Sequence, residues 1–230
     1  MRIKVADTVF EINNKDSYWE KFVSAYLTEE EPHHYIELSE EFLQEAFNAS
    51  QSFSVGYTEY LETYREICNY MIQRDALLMH GAVIEYEGMA YMFTAPSGTG
   101  KTTHIRQWRK AFGKAVRVIN GDKPIIRYKD GEFIAYGTPW CGKEHYNTNT
   151  SAPLKGIVLV SRGEENSIEE IPSDKFNLFL VKQLYLPKDP SLRMKVLELG
   201  DKLFTTVKLY HLKCNISTDA AILARDKIHK

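Results

Sequence analysis

Residues 95–103 read Ala95-Pro96-Ser97-Gly98-Thr99-Gly100-Lys101-Thr102-Thr103, and here residue type and spacing point to phosphate chemistry. A Walker A loop is Gly, any four residues, then Gly-Lys-Ser/Thr. Gly98, Gly100, Lys101 and Thr102 fit such a loop, with Ala95 standing where the first glycine is expected. Glycines let successive backbone N–H groups converge on phosphate oxygens with no Cβ in the way. A helix opening near Lys101 adds the partial positive charge of its N-terminus. In this reading Lys101 reaches the β/γ oxygens and the Thr102 hydroxyl ligates Mg²⁺. Ser97, Gly98, Thr99, Gly100, Lys101, Thr102 and Thr103 are the predicted nucleotide contacts. A Ser/Gly-rich loop without a ligand has the same composition, but the apolar strand before this one and the amphipathic helix after it favour the cradle.

A cradle with Mg²⁺ needs a carboxylate. Asp122 follows Lys101 by 21 residues, at the end of Val116-Arg117-Val118-Ile119. One helix and one returning strand fill that gap, so the carboxylate can come back to the phosphate end as metal ligand or as base for an attacking hydroxyl. A turn Asp in Asn-Gly-Asp-Lys-Pro is the plain alternative. His80 sits just before a hairpin, where the plain reading is a histidine packed at a strand entry. The loop Thr138-Pro139-Trp140-Cys141-Gly142-Lys143-Glu144-His145 leaves a strand end, where ligand contacts concentrate. Lys143, Glu144 and His145 are its candidates, against a solvated loop. Cys141 has only the nearness of His145 to suggest a nucleophile. Arg162 is a candidate to neutralise transferred phosphate, while Arg106 and Arg109 are read as facing solvent and His33-His34 as loop.

These residues need elements to carry them. Ile3–Val5 and Val9–Ile12 read as strands turning at Ala6-Asp7-Thr8. Ser39 caps a helix over Glu40–Phe47, and residues 48–52 read as loop. Tyr57, Tyr60, Leu61, Tyr64, Ile67, Cys68, Met71 and Ile72 fall at helical spacing, and such a tyrosine stripe is read as a core face rather than a base-stacking platform. Ala82–Tyr86 and Met89–Phe93 flank Glu87-Gly88 as a hairpin that runs directly into the glycine-rich loop. The helix after the loop turns Ile105, Trp108 and Phe112 inward and stops at Gly113. Ala115–Ile119 is a strand, Lys129-Asp130-Gly131 a second hairpin turn, and Ile157–Val160 a short buried strand. The tail reads helix (174–185), helix (190–203), strand (207–213) and helix (218–228).

The chain of 230 residues is long enough for one large domain, and its apolar and charged fractions, 43% and 26%, are those of a globular protein. Its 29 basic and 31 acidic residues nearly cancel, so it lacks the basic surplus of a nucleic-acid binder. Residues 1–50 hold four basic and eleven acidic residues, leaving the rest with a surplus of five positive charges. A basic body suits an anionic ligand, and a solvated acidic face explains the split equally well. Three cysteines, Cys68, Cys141 and Cys214, lie far apart without CxxC spacing, against a disulfide framework or a zinc site. With no signal peptide at the start and no apolar run of membrane-spanning length, the expected address is the cytoplasm.

His80-Gly81, the hairpin feeding Ser97–Thr103 and the acid about twenty residues on together resemble the HPr kinase/phosphorylase catalytic domain. The related phosphoenolpyruvate carboxykinase-like fold has a loop that likewise reads Ser-Gly-Thr-Gly-Lys-Thr-Thr. The chain looks most like small bacterial kinase-like members of that group. The resemblance covers about residues 76–165 well and the tail loosely. It implies an α/β fold with a mixed-sheet P-loop core over residues 53–230, beside a small N-terminal α+β accessory layer over 1–52. The family's Lys and Ser/Thr map onto Lys101 and Thr102, and its His-Gly near the phosphates onto His80-Gly81, which implies that His80 contacts the γ-phosphate or the acceptor. Its paired acids map onto Gly121-Asp122, so one carboxylate is missing, and Asp122 combines roles or Glu144 substitutes. A chain of this length leaves no room for a full carboxykinase. The resulting expectation is a Mg²⁺-dependent phosphotransferase that uses ATP (or GTP) on a hydroxyl acceptor in a protein, peptide or small molecule. Lys101, Asp122 and His80 are its catalytic residues, and Thr102 and Asp122 its metal ligands. No nucleic-acid or membrane partner is expected, and a homo-oligomer stays open. The alternatives are a nucleotide-binding regulatory or partner-binding module without efficient transfer, and simple ATP/GTP hydrolysis coupled to a partner.

Overall fold

The computed structural model of the chain describes residues 1–50, 54–96, 98–172 and 177–229. The chain begins with β1 (Arg2–Val5) and β2 (Thr8–Ile12), an antiparallel hairpin. Its turn residues Ala6 and Asp7 have φ of 48° and 61°, the left-handed pair that matches the twist of two-residue hairpins. A short helix, α1 (Glu20–Val23), leads to β3 (His34–Ile36), which lies parallel to β2 and completes a three-stranded sheet. Two helices follow, α2 (Glu40–Ser50) and α3 (Val55–Ile72), the second capped by the Ser54 side chain on the Tyr57 N–H.

The larger sheet starts with β4 (Ala76–Leu78), β5 (Ala82–Tyr86) and β6 (Met89–Thr94). After β6 come α4 (Lys101–Phe112), β7 (Val116–Asn120), β8 (Ile125–Lys129) and β9 (Glu132–Tyr136). The last part holds β10 (Ser151–Arg162), β11 (Ser167–Glu170), α5 (Asn177–Val181), α6 (Pro190–Thr206), β12 (Lys208–Cys214) and α7 (Thr218–Ile228). The strand order is β4-β8-β9-β10-β6-β5-β7, with β12 also on β10 and β11 on β12.

Strand β10 makes this sheet mixed and curled. Its first residues, Ser151–Pro153, pair antiparallel with β9, while Gly156 onward runs parallel between β6 and β12. The register slips between Leu154 and Gly156, the kind of irregularity that bends a strand. The apolar segment Ile157–Val160 is therefore the middle of a twelve-residue strand rather than a short one. Side chains from β5, β6 and β10 pack on Ile105 and Trp108 of α4 and on Ala221 and Ala224 of α7. On the other side, Met92 and Ile157 meet Val196, Leu199 and Leu203 of α6.

A third cluster joins the small sheet to the rest. Ile3, Phe10 and Trp19 pack with Tyr60, Tyr64 and Ile67 of α3 and with Ile125, Tyr136 and Trp140. The tyrosine stripe of α3 is thus largely a core face. Polar anchoring adds to it: the Glu59 carboxylate, 2% exposed, accepts the backbone N–H groups of Lys15 (2.6 Å) and Asp16 (2.9 Å). A buried carboxylate needs such donors to offset its desolvation.

Elsewhere the structure departs from the sequence reading. Residues 48–50 continue α2, and His34 opens β3, stacked on Tyr70 with ring centroids 4.2 Å apart. The expected helix over 174–185 is seen as α5, with residues 173–176 outside the described part. Strands β4 and β11 had no strong alternating pattern to announce them.

Candidate functional site

The loop after β6 lies at the floor of a cavity of about 800 Å³, within the range usual for small-molecule sites. Ser97 lies outside the described residues. Ala95 is wholly buried among Phe93, Ile105 and Trp108, so a methyl group serves packing at the position where the motif has glycine. Gly98 and Gly100 have φ of 75° and 125°, conformations that cost a side chain strain and that glycine reaches freely. The first turn of α4 contains no acid, and no side chain among the described residues caps it. Its N-terminal amides and dipole are therefore left for an anion.

Lys101 Nζ donates to the Ala95 carbonyl at 3.0 Å, and burial lowers its pKa against the raising effect of Asp122. Gly98, Gly100, Lys101, Thr102 and Thr103 line the cavity together with His80 and Asp122. Thr99 is not part of that lining, and its N–H donates to the Pro96 carbonyl at 3.2 Å. Arg162, at the end of β10, donates to the carbonyls of Gly98 (2.6 Å) and Thr99 (3.2 Å). The guanidinium braces the back of the loop, a role the sequence did not announce.

Asp122 follows β7 and is held from several directions. Oδ1 lies 3.1 Å from His80 Nε2, and Oδ2 lies 2.6 Å from Lys123 Nζ. Burial pushes the carboxyl pKa up, but the His80 hydrogen bond and the Lys123 charge outweigh it and bring it down to about 2. The His80 ring is fixed in turn by Gln183 Oε1, 3.1 Å from Nδ1, and the His80 N–H donates to the Gln183 carbonyl at 2.7 Å. Nε2–H donates to Asp122 in either orientation of the Gln183 amide. The Gly81 N–H donates to the Asp122 carbonyl at 3.0 Å, so His80-Gly81 and Asp122 are locked side by side.

Asn120, fully buried, builds the turn that presents Asp122. Its Oδ1 accepts from the N–H groups of Asp122 (2.8 Å) and Lys123 (2.7 Å). Its Nδ2 donates to the Thr138 and Trp140 carbonyls at 3.1 and 3.3 Å. These bonds tie the turn to the 138–146 loop, which α3 supports. Trp140 stacks on Tyr64 at 4.2 Å, its Nε1 donates to the Tyr60 carbonyl, and the Tyr64 hydroxyl donates to the Lys123 carbonyl at 2.6 Å.

The same loop crosses to α4. Glu144 pairs with Arg106 at 2.6 Å, and the Arg109 guanidinium lies 5.4 Å from the Tyr146 ring centre. Glu144 is thus turned to Arg106 and does not stand beside Asp122 as a second carboxylate. His145, at a φ of 52°, stacks on Phe22 at 5.1 Å. The Cys141 thiol is buried and pushed up to about 11, by burial and then by the Asp122 charge, so it is not a thiolate nucleophile.

The space beside Gly121 is tight. A Cβ on Gly121 would stand 3.0 Å from the Cys141 carbonyl oxygen and 3.3 Å from Tyr146 Cβ. Among the described residues no group of three or more His, Cys, Asp or Glu side chains could hold a metal ion. Thr102 and Asp122 supply oxygen donors, the type Mg²⁺ prefers, and one carboxylate with phosphate oxygens and waters is an ordinary Mg²⁺ set. The residues present therefore fit a metal carried in on a nucleotide.

No protein-family model matches the chain, and no curated protein matches it in sequence. Among solved structures, the Hpr(Ser) kinase/phosphatase from Coxiella burnetii is similar at 9% identity and a TM-score of 0.38, over 65% of this chain and 88% of that one. That is a distant relation of fold. Among the described residues no helix is long and apolar enough to cross a membrane.

Proposed function

We propose that the chain binds a nucleoside triphosphate with Mg²⁺, ATP or GTP, and transfers its γ-phosphoryl group to a hydroxyl acceptor, on a P-loop core. The observation that carries this reading is one cavity in which the open α4 N-terminus and Lys101 face the same space as the His80–Asp122 pair. Phosphates lie against the amides of 98–103, and Lys101 leaves the Ala95 carbonyl for their oxygens. The acceptor hydroxyl attacks the γ phosphorus, an O–P bond forms, the bond to the bridging β,γ oxygen breaks, and the nucleoside diphosphate departs. The acceptor proton passes to Asp122. A carboxylate with so low a pKa orients the hydroxyl and takes its proton late, which suits a loose transition state. Bound Mg²⁺, held by Thr102 and Asp122 along with the phosphates, would supply neutralisation of the developing charge.

The closed space around Gly121 favours a second reading, nucleotide binding without efficient transfer. One set of measurements separates the two. Mg-ATP and Mg-GTP should each be tested for raising the melting temperature of the wild type and of Lys101→Ala, and product formation followed with and without serine peptides and small-molecule fractions of a cell extract. A nucleotide-dependent shift lost in Lys101→Ala, with acceptor-dependent diphosphate, supports transfer. A shift without such turnover leaves the binding module. No shift with either nucleotide overturns both.

A further inference from the structure

The cavity has a second character away from the phosphate loop. One wall is largely aromatic: Tyr18 and Phe22 from the N-terminal layer, Tyr57 and Tyr60 from α3 with the aliphatic Leu61 beside them, and His145 from the 138–146 loop. The rings form a connected surface, with Tyr18 5.8 Å from both Phe22 and Tyr57, and Phe22 stacked on His145 at 5.1 Å. Tyr18, Phe22 and Tyr57 are half-buried, so part of each ring is satisfied by packing while the remainder faces the cavity. The wall is tied to the turn that carries Asp122. Tyr60 receives the Trp140 indole N–H at its carbonyl, Trp140 is bonded through Asn120 to the Asp122 turn, and Gly142 sits against Asp122 Cβ at 3.0 Å from where its own Cβ would be.

Resting on the phosphotransfer reading above, we infer that this wall is the acceptor subsite, and that the acceptor carries an aromatic or bulky apolar group next to the hydroxyl it presents to Asp122. Two arguments select that occupant. The hydroxyl must meet the γ-phosphate beside Asp122, so the body of the acceptor lies on the Asp122 side, where the wall is. Half-exposed rings in a concave site bind apolar groups through buried area and ring stacking.

The test uses four probes: N-acetyl-Ser-Phe-amide, N-acetyl-Phe-Ser-amide, and the same two with Gly in place of Phe. Binding is measured by titration calorimetry or ligand-observed NMR, with and without a non-hydrolysable ATP analogue. At least one Phe probe should bind about tenfold more tightly than its Gly partner, the effect of burying one ring. Tyr57→Leu and Phe22→Leu, which keep apolar bulk for folding, should reduce that ratio by about threefold, and the double variant Tyr57→Ser/Phe22→Ser should abolish it, with melting temperatures reported for each. Affinity for the ATP analogue should stay within twofold in all of them. Equal binding of Phe and Gly probes overturns the inference. So does loss of analogue affinity in the wall variants, which would assign the rings to the nucleobase. If the wild type binds the Phe probes but no nucleotide, the phosphotransfer reading fails and the apolar subsite stands alone.

Discussion

His80 Nε2 lies 3.1 Å from Asp122 Oδ1 while Lys123 Nζ lies 2.6 Å from the other carboxylate oxygen. Asp122 therefore has Lys123 on one oxygen and, on the other, His80, which Gln183 holds in place. A carboxylate fixed in this way stays ionised well below the usual carboxylate range, and its oxygens are held in place before any acceptor arrives.

Removing the proton acceptor while keeping its shape should separate chemistry from binding. Asp122→Asn is expected to lower acceptor-dependent turnover by about 10² to 10⁴, the range of a lost general base. The melting-temperature shift given by Mg-ATP should persist. His80→Gln, which keeps a donor near Asp122, should cost less, about tenfold in kcat with little change in KM for the nucleotide. Rapid-quench assays on the three proteins give both numbers. Equal losses in both variants would show that His80 acts on the reacting atoms directly.

Restoring a second acid should not restore a stronger site. Gly121→Asp places a Cβ 3.0 Å from the Cys141 carbonyl oxygen, so the 141–146 loop must shift. Overpacking of this kind costs about 1–3 kcal/mol, read as a lower urea midpoint at unchanged m-value. Turnover should fall, because the same loop is tied through Asn120 to the Asp122 turn. Unchanged stability would mean that the loop yields freely and that Gly121 is not a steric requirement.

What was legible in the sequence was what local rules govern. The hairpin at Glu87-Gly88 and the stop of α4 at Gly113 followed from glycine positions, and both show positive φ there. The tyrosine stripe of α3 fell at helical period and is buried on that face. Asp122 was placed by counting one helix and one strand back from Lys101, and it shares the cavity with the loop. Long-range pairing was not legible. Nothing near Gln183 marks it as a partner for His80, 103 residues away. Arg162 was read by its charge as a phosphate ligand, whereas its geometry spends the guanidinium on the Gly98 and Thr99 carbonyls. Lys123 and Asn120 sit in the very turn that was singled out, yet only the fold shows that one neutralises Asp122 and the other builds the turn. The aromatic wall draws on three separate segments, so no window of sequence displays it.

Acid should weaken the fold through a residue one turn into α4. His104 is buried, 3% exposed, and burial drops its pKa from 6.5 to about 4. Independent geometry agrees: the Trp108 indole N–H, a donor only, points at His104 Nε2 at 2.9 Å, so that nitrogen is an unprotonated acceptor. The folded protein thus resists a proton that the unfolded chain accepts. Between pH 6.5 and about 4 the unfolded state binds more protons, so stability falls as pH falls through that window. The full effect is about 3 kcal/mol at most, from 1.36 kcal/mol per pKa unit. Asp122 acts lower on the scale: its depressed pKa contributes stability above 3.8 that is lost as pH falls toward about 2, leaving the upper window to His104. His104→Gln keeps an acceptor for Trp108 and removes the titration. Urea midpoints of the nucleotide-free protein in chelator, taken from pH 7 to 4.5, should decline for the wild type and stay nearly level for His104→Gln relative to it. Parallel declines would place the acid sensitivity elsewhere and would mean that the α4 core admits a charged imidazole.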